Sequence, residues 1–350
     1  MLLQTIYKII YNTASGINMS LIPDAVFYHE YRMGTTPVIA IVVPCYNEEQ
    51  ALPLSVPKML DVIDRMVADG IASAESYVLL CNDGSKDRTW DVVQRLHLAD
   101  KRVKGISLAH NRGHQYVLLA GLMTVHGRCD AAISIDADLQ DDPMAIVEMV
   151  KKFRSGKEIV YGVRSSRAAD TWFKRTTAHA FYSFQKKMGL ETVYDHADYR
   201  LMSDRALGLL GQYGESNLFL RGIVPQIGLE NDVVTYSRDE RVAGESKYPL
   251  AKMLSFSIDG ITSFSARPMR WIFMTGLVLL VVALLVAVYV FSSYFYSDHI
   301  SAGWASIMLS IWVLGSMILI AIGIVGEYIG KIFNEVKHRP RYAVADEVWD

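Results

Sequence analysis

The sequence is poor in cysteine and has no excess of basic residues, and both absences narrow the class of protein. Its 350 residues include three cysteines, Cys45, Cys81 and Cys129, which show no CxxC spacing and lie in apolar runs, so we expect reduced packing residues in the cytosol. The formal net charge is -2, so no basic field marks a nucleic-acid-binding protein. Neither GxGxxG nor GxxxxGK(S/T) follows a predicted strand, which argues against a dinucleotide-binding fold and a P-loop NTPase.

Long uncharged hydrophobic runs are missing from the first 270 residues, and two follow, at Trp271–Phe291 and Trp304–Gly326. At about 1.5 Å per residue, each run covers a hydrocarbon core of roughly 30 Å. The connector SSYFYSDHISAG carries no lysine or arginine, whereas basic residues flank the pair. This asymmetry predicts two transmembrane helices within residues 268–328 of a multi-pass inner-membrane protein, with the preceding domain and both termini in the cytoplasm. The alternative is a pair of long core helices in a soluble protein.

Three further segments border these regions. Residues 248–267 place apolar side chains among polar ones at helical spacing, which predicts an amphipathic helix lying in the membrane interface or docked on the globular domain. Residues 1–36 form an N-terminal extension of unassigned role, and its short apolar stretch does not resemble a cleaved signal peptide. Residues 329–350 are expected to be a cytoplasmic tail, used as a subunit contact or as a membrane-surface helix.

From Pro37 onward, five short apolar runs alternate with polar, helix-compatible segments: VIAIVVP, SYVLLC, VKGISLA, DAAISID and EIVYGV. Strands that alternate with helices form a mostly parallel sheet covered on both faces, so we predict a doubly wound α/β domain over residues 37–247. Ligands bind such sheets at the carboxyl ends of the strands. The residues that follow each strand are therefore the candidate site.

The first three strand ends carry side chains suited to a nucleotide. Tyr46 and Glu48 follow the first strand, in PCYNEE, and Asp83 follows the second, in NDGSKD. An aromatic ring can stack on a base, and polar turn residues can hydrogen-bond to a ribose, although the same residues are common as caps and turn formers. Arg112, in HNRGHQ after the third strand, suits either a donor phosphate or a surface carboxylate.

The fourth strand ends in the sharpest motif, ISIDADLQDDP. Asp136 and Asp138 lie two positions apart, so their side chains project the same way where the strand leaves the sheet. Two carboxylates held together repel each other unless a cation intervenes, and hard oxygen ligands select Mg²⁺ or Mn²⁺. The pair therefore predicts a divalent metal that bridges diphosphate oxygens, although a lone acidic pair is also common on protein surfaces.

The ordered set VVPCYNEE, NDGSKDRT, NRGHQ, DADLQDDP, YGVRSSR, DYRLM and GESKY resembles glycosyltransferase family 2, specifically the polyisoprenyl-phosphate glycosyltransferases. Bactoprenol glucosyltransferases and dolichol-phosphate mannose synthases are members of this group. The resemblance implies an A-type nucleotide-diphospho-sugar transferase domain, then interfacial helices and two transmembrane helices. It implies inverting transfer of a hexose, with glucose favoured, to undecaprenyl phosphate at the cytoplasmic membrane face. UDP-glucose or UDP-N-acetylglucosamine is the favoured donor, and a homo-oligomer such as a tetramer is suggested.

The resemblance also assigns roles to residues that bind the donor. It implies nucleoside contacts at Pro44, Tyr46, Glu48 and Asp83. It implies metal and diphosphate contacts at Asp136, Asp138 and Gln140. Asn82 stands where the family usually has the first of two aspartates, which weakens any role at position 82 and leaves that of Asp83.

The remaining assignments concern the reaction and the acceptor. Asp198, in DYRLM, aligns with a carboxylate central to activity, and it serves either as a general base or as a group that positions a sugar hydroxyl or a basic residue. Arg164, Arg241 and Lys247 resemble residues that receive donor or acceptor phosphates. For Arg241 and Lys247, a solvated basic loop that attracts anionic headgroups is the alternative. Without the resemblance, Asp198 also fits a helix cap or a salt-bridge partner of Arg200 or Arg205.

Two rival functions remain at this level. A processive polysaccharide synthase has the same fold, but it would need more spans and a QxxRW motif, and the nearest string, RPMRW at 267–271, lacks the glutamine. A non-catalytic nucleotide-sugar sensor or membrane scaffold would leave Asp138 dispensable.

Overall fold

The computed structural model describes residues 36–164, 196–216, 218–236 and 303–349, together with 269, 271–279, 281, 282, 285 and 288. The predicted interfacial helix at 248–267, nearly all of the N-terminal extension, and the predicted phosphate-binding residues Arg241 and Lys247 lie outside the described residues.

Eight strands form one sheet in the order β7-β5-β6-β4-β1-β2-β3-β8. The strands are β1 Ile39–Cys45, β2 Tyr77–Asn82, β3 Val103–Leu108, β4 Ala131–Ser134, β5 Ile159–Arg164, β6 His196–Ser203, β7 Asn231–Tyr236 and β8 Val344–Val348. The helices are α1 Leu52–Ala68, α2 Thr89–Ala99, α3 His114–Val125, α4 Ala145–Arg154, α5 Asp204–Gly211, α6 Leu220–Gln226 and α7 Trp304–Val336.

The doubly wound character follows from the alternation of side chains along the central strands. In β1, Ile39, Ile41 and Val43 pack into a core cluster with α1, α2 and α4, whereas Ala40 and Val42 pack into a second cluster with α3, α5 and α6. Successive residues of a strand point to opposite faces, so a strand that is apolar at every position requires helices on both sides. The predicted α/β fold is confirmed.

Six of the eight strands run in the same direction, and β6 and β8 run against them. The five predicted strands correspond to β1–β5, but β5 does not pair with β4, because β6 lies between them and is antiparallel to both. Sequence patterns missed β6, β7 and β8. The first of these omissions matters most, because β6 carries Asp198 into the centre of the sheet.

One helix among the described residues, within α7 at Val313–Val336, is long and apolar enough to cross a membrane, with a mean hydropathy of 1.9. The predicted pair of transmembrane helices is therefore not confirmed. The first predicted span, Trp271–Phe291, is helical over 271–279, and much of the remainder lies outside the described residues. The second predicted span is helical, and its helix continues ten residues past Gly326 to Val336.

After α7 the chain returns to the sheet. Strand β8 pairs antiparallel with β3, with Ile106 opposite Glu347 and Ser107 opposite Asp346. The expected tail at 329–350 therefore includes an edge strand of the α/β domain. The pattern VADEV is too short and too polar to have predicted a strand from sequence.

Candidate active site

A cavity of about 650 Å³ opens at the carboxyl ends of β1, β2 and β4. This is where a doubly wound sheet binds its ligands, because the loops that leave parallel strands meet there. Eight of the twelve residues predicted from sequence line it: Pro44, Tyr46, Glu48, Asp83, Arg112, Asp136, Asp138 and Asp198. The candidate site thus gathers residues from five separate strand ends and loops.

The turns after β1 and β2 are bound together and form one wall. The backbone nitrogen of Asn47 donates to Ser85 Oγ at 3.0 Å, and Asn47 Oδ1 accepts a hydrogen bond from the backbone nitrogen of Lys86 at 2.9 Å. Asn47 has a φ of 57°, a left-handed conformation that asparagine tolerates better than most residues. This turn presents Tyr46, whose side chain is 41% exposed, to the cavity. An exposed ring on a rigid turn is suited to stacking on a base.

Asp83 connects this wall to the loop before α3. Its two carboxylate oxygens accept hydrogen bonds from the backbone nitrogens of Arg112 at 2.7 Å and Gly113 at 2.8 Å. The loop approaches so closely that a Cβ on Gly84, which has a φ of +60°, would lie 2.7 Å from the Asn111 nitrogen. These contacts give the Asp-Gly pair of NDGS a structural role. Asp83 is 2% exposed, and it also lines the cavity.

Asp136 and Asp138 both face the cavity, as their spacing predicts. The backbone nitrogen of Gln140 donates to Asp138 Oδ1 at 3.2 Å, which holds the loop after β4 in place. Burial raises the pKa of Asp136, and the negative charges of Asp198, Asp141 and Asp138 raise it further, against the opposing effect of His114. A cation bound between these oxygens would remove that penalty, so the donor set fits a divalent metal.

The side chains at this site do not complete the coordination of a metal ion by themselves. Among the described residues, no group of three or more His, Cys, Asp or Glu side chains is placed to hold a metal ion by itself. Gln140, the third predicted ligand, is 5% exposed and is not among the residues that line the cavity. An open site with two carboxylates is what Mg²⁺ or Mn²⁺ uses when substrate phosphates and water supply the other ligands.

Asp198 lies near this pair because β6 pairs with β4, with Ser134 beside Arg200, and the Ser134 hydroxyl donates to the Asp198 carbonyl. Its carboxylate, 7% exposed, accepts hydrogen bonds from four side chains. The donors are Arg200 Nη2 at 2.6 Å, Arg221 Nε at 3.2 Å and Nη2 at 3.1 Å, Gln115 Nε2 at 3.3 Å and His114 Nε2 at 3.3 Å. A carboxylate accepts about four hydrogen bonds, so this one is saturated.

The charges around Asp198 determine its protonation state. Burial alone raises the pKa of Asp198, but the hydrogen bond with His114 and the positive charges of Arg200 and Arg221 outweigh it and hold the pKa well below the usual range. Burial opposes protonation of His114, yet its contact with Asp198 raises the pKa of the imidazole above its usual value. Asp198 is therefore a permanently ionised group and a weak base.

The predicted phosphate-binding residue Arg164 does not line the cavity. Its guanidinium lies 3.3 Å from Asp141 Oδ1 and donates to the Tyr236 hydroxyl at 3.3 Å, and its side chain is 25% exposed. Asp141 is 3% exposed, so the pair is a largely buried ion pair at the carboxyl ends of β5 and β7.

Of the cavity residues that sequence reasoning did not assign to the site, three contact Asp198: His114, Gln115 and Arg221. The position of the first two, in HNRGHQ after the third predicted strand, was the available signal. Gln115 also accepts a hydrogen bond from the Leu220 nitrogen at 3.0 Å, which joins the start of α3 to the start of α6. Arg221 has no signal at all in LFLRGIVPQ, because its role depends on contact with Asp198.

Comparison with known proteins identifies the family of this chain. Glycosyl transferase family 2 matches residues 40–211. The uncharacterised glycosyltransferase YkoT of Bacillus subtilis is 48% identical over 90% of this chain and 93% of its own length. The bactoprenol glucosyl transferase of Shigella phage SfV is 36% identical over 88% of this chain and 98% of its own.

Among solved structures, glucosyl-3-phosphoglycerate synthase from Mycobacterium tuberculosis, in complex with Mn²⁺ and UDP-glucose, is similar at 18% identity over 68% of this chain and 80% of that chain. Its TM-score of 0.39 is too low to support an argument about this chain. The sequence relatives carry the assignment, because they match nearly the whole chain, including the strand that bears Asp198. The chain belongs to glycosyltransferase family 2 and is a glycosyltransferase.

Proposed function

We propose that this enzyme transfers a hexose from a nucleotide-diphosphate sugar to a polyisoprenyl phosphate, with inversion at the anomeric carbon. One observation carries the proposal: the same cavity is lined by a carboxylate pair and, in contact with Asp198, by the guanidinium of Arg221 and the imidazole of His114. A reaction between a sugar diphosphate and a phosphate needs both, because a metal balances the leaving group and protein cations balance the incoming anion.

The donor half of the site is the wall made by the first two turns together with the acidic pair. We place the base against Tyr46 and the ribose near Glu48 and Asp83. Asp136 and Asp138 would hold Mg²⁺ or Mn²⁺, which when bound stabilises the nucleoside diphosphate as a leaving group. Gln140 remains a proposed contact, made possible only if the loop after β4 shifts when the donor binds.

Asp198 acts in this proposal as a positioning group. A phosphate monoester is largely ionised near neutral pH, with a second pKa of about 6, so it needs no strong base before it attacks. The saturated, ionised Asp198 carboxylate instead orients Arg221 and His114, whose remaining N–H groups are directed to the acceptor phosphate. The same saturation leaves Asp198 poorly suited to attack the sugar itself, which favours a single displacement.

The predicted basic residues have narrower roles in this proposal. Arg164 would act on the donor phosphates indirectly, because its guanidinium is paired with Asp141. Arg112, on the loop that Asp83 holds, would bind a donor phosphate. Arg241 and Lys247, in the chain that follows β7, are proposed to complete the acceptor site, and this assignment rests on the resemblance of GESKY and its neighbours.

Sheet topology limits how often the chain can cross a membrane, and with the hydropathy of α7 it leads us to propose two spans. Strands β7 and β8 belong to one sheet, so residues 236 and 344 lie on the same side of a membrane, and the chain between them crosses it an even number of times. If α7 crosses once, residues 237–303 must cross an odd number of times, which favours the predicted span Trp271–Phe291. The flanking basic residues favour the cytoplasmic side for the domain. A prenyl chain would then present its phosphate at the interface beside the tethered domain.

The sugar and the assembly are the finer parts of the proposal. Relatives named bactoprenol glucosyl transferase favour glucose and undecaprenyl phosphate, with UDP-glucose preferred over UDP-N-acetylglucosamine as donor. A homo-oligomer such as a tetramer is proposed from the resemblance alone. A nucleotide-sugar sensor is the second candidate, and it requires the saturated Asp198 cluster to be structural.

The test is transfer of label into a lipid. Purified protein in nanodiscs is incubated with Mg²⁺, undecaprenyl phosphate and each of a panel of radiolabelled UDP- and GDP-sugars, and organic-phase label is counted. We expect transfer from UDP-glucose that is abolished by EDTA and by Asp138→Ala. Donor binding without transfer from any sugar would contradict the proposed reaction and favour the sensor.

A further inference from the structure

The segment that follows α7 is attached to the active-site domain at several points. Beyond the β8 pairing, the Ala109 nitrogen donates to the Ala343 carbonyl at 2.9 Å, and the Trp349 ring contacts Tyr77 edge to face at a centroid distance of 5.6 Å. Lys104 Nζ lies 4.4 Å from the centre of that ring. An edge strand secured by a terminal tryptophan is anchored too firmly to be a loose tail.

At the end of α7 and in the connection to β8, three groups contact segments that border the cavity. Glu335 Oε2, on the last turn of α7, accepts a hydrogen bond from the Ser216 nitrogen at 2.8 Å, and Arg341 donates to the Tyr213 carbonyl. Arg112 Nη2 donates to the Pro340 carbonyl at 3.1 Å. We call Glu335, the Pro340 carbonyl and Arg341 the C-terminal clamp.

The C-terminal clamp contacts two sides of the cavity, the loop that carries Arg112 and the loop that leads into α6. These two sides are also joined to each other. Arg112 and its neighbours line one lip, and the loop that Ser216 belongs to leads directly into α6, which supplies Arg221 to the other. The Tyr116 hydroxyl, at the start of α3, donates to the Ser216 carbonyl and closes the link. A rigid helix with a membrane-spanning composition is thus hydrogen-bonded, at its end, to the loops that carry the acceptor-side residues.

We propose that the C-terminal clamp sets the height and orientation of the cavity relative to the membrane, so that a lipid-held phosphate reaches the donor. The inference rests on the proposed function. The depth of the acceptor phosphate is set by the bilayer, and the position of α7 is set by its apolar surface, so contacts between α7 and the cavity lips fix one reactant relative to the other. A misplacement of about 1 Å can reduce a rate about 100-fold. Glu335 and Arg341 are therefore positioning residues.

The variants Glu335→Ala and Arg341→Ala, and their combination, remove the clamp while β8 stays paired. Glu335→Gln keeps an oxygen acceptor for the Ser216 nitrogen and serves as the conservative variant. Arg339→Ala is the matched control, since Arg339 is exposed and forms no hydrogen bond or ion pair with any residue that the structure describes. Circular dichroism and UDP-glucose affinity establish that each variant is folded and binds the donor.

Turnover is compared in nanodiscs with undecaprenyl phosphate and with a short, water-soluble prenyl phosphate that the bilayer does not hold. We expect the double variant to lose at least about tenfold in kcat/KM for the long acceptor and to stay within about twofold for the short one. Glu335→Gln and Arg339→Ala should resemble the unsubstituted protein with both acceptors. Equal losses with both acceptors, or no loss with either, would overturn the inference.

A spectroscopic distance measurement decides the question if the unsubstituted protein accepts only the long lipid. Spin labels at Leu98→Cys, on the exposed side of α2, and Ile307→Cys, near the start of α7, report how the domain sits relative to the helix. The three native cysteines are buried and do not compete for the label. The double clamp variant should broaden the distance distribution, and an unchanged distribution would overturn the inference. Failure of the unsubstituted protein with every acceptor would instead contradict the proposed function itself.

Discussion

Arg221 donates two parallel hydrogen bonds to Asp198, from Nε at 3.2 Å and from Nη2 at 3.1 Å, across the wall of the cavity. This two-point contact fixes the plane of the guanidinium and leaves its other N–H groups available for a phosphate. A carboxylate held this way orients a cation, which differs from the role of a base that removes a proton. The predictions below separate these roles.

If Asp198 acts through Arg221, their losses are not additive. We expect Asp198→Asn and Arg221→Lys each to lower kcat by about 100-fold or more. The kcat of the double variant should lie within about threefold of that of the less active single variant. Donor affinity should change little in all three. Additive losses in this cycle, measured by label transfer, would contradict a shared role. Because Asp198 also partners the buried Arg200, we expect Asp198→Asn to cost about 3 kcal/mol of stability.

Protonation of His114 should support activity on the acid side. Its contact with Asp198 raises the pKa of the folded protein's imidazole above the unfolded value of about 6.5, so the protonated form and its stabilising contact are present below that pH and are lost as pH rises through the folded pKa. We expect kcat/KM for the acceptor to fall as pH rises through the folded pKa of His114. The His114→Gln variant should have lower activity and should not show this fall.

His126 is the matched control for that substitution. It lies at the other end of α3, where its ring contacts Asp204 Oδ1 at 2.7 Å, and it does not line the cavity. His126→Gln should leave the pH profile unchanged. If kcat/KM still falls with rising pH in His114→Gln, another group is responsible for the pH dependence.

The acidic pair should control metal-dependent donor binding. Asp136→Asn and Asp138→Asn are expected to abolish the increase in UDP-sugar affinity that Mn²⁺ produces, and to lower turnover by about 100-fold or more, because the diphosphate charge is no longer balanced. Asp142→Asn is the control, since the Asp142 side chain accepts a hydrogen bond from the Met144 nitrogen at 2.9 Å and asparagine keeps an acceptor oxygen there. Calorimetric titration of UDP-glucose with and without Mn²⁺ tests this, and Mn²⁺-dependent affinity in Asp138→Asn would contradict the assigned site.

Gly84 and Gly70 provide a matched pair for the role of the NDGS turn. Both have a positive φ, +60° and +66°, but a Cβ on Gly84 would lie 2.7 Å from the Asn111 backbone whereas one on Gly70 meets no heavy atom within 4 Å. We expect Gly70→Ala to cost about 1 kcal/mol through backbone strain alone. Gly84→Ala should cost about 2 kcal/mol more, because backbone atoms must shift, and should weaken donor binding. Equal thermal midpoints and donor affinities for the two variants would contradict the close approach.

Sequence patterns predicted the cavity residues at the ends of β1, β2 and β4 better than those around Asp198, for a physical reason. Tyr46, Asp83 and the acidic pair each follow an apolar strand directly, and parallel strands bring such positions to one edge. Asp198 was identified by resemblance, because the pattern of β6 did not predict a strand. Arg221 and Gln115 were not predicted, since each depends on long-range contact: the hydrogen bonds join residues that are 23 and 83 positions apart in the chain.

The region that includes α7 and β8 shows a similar division. Hydropathy predicted the helix α7, because length and apolar composition suffice for that. Strand β8 was not predicted, because its residues are mostly exposed and show no apolar alternation. It forms by pairing with the edge of β3, which the local sequence does not reveal. The hydrogen bonds of Glu335 with Ser216 and of Arg341 with Tyr213 were likewise not predictable, because they join residues that are far apart in the chain.

The stereochemistry of the lipid-linked product tests the central claim most directly. Undecaprenyl phosphate is incubated with ¹³C-labelled UDP-glucose in a single turnover, and the anomeric configuration of the extracted lipid is determined by NMR. The account predicts one hexose joined to the lipid by a monophosphate, with the configuration opposite to that of the donor, because the acceptor phosphate attacks the anomeric carbon directly while Asp198 is held by its hydrogen bonds to Arg200 and Arg221. Retained configuration, release of free sugar into water, or a growing polymer would contradict it.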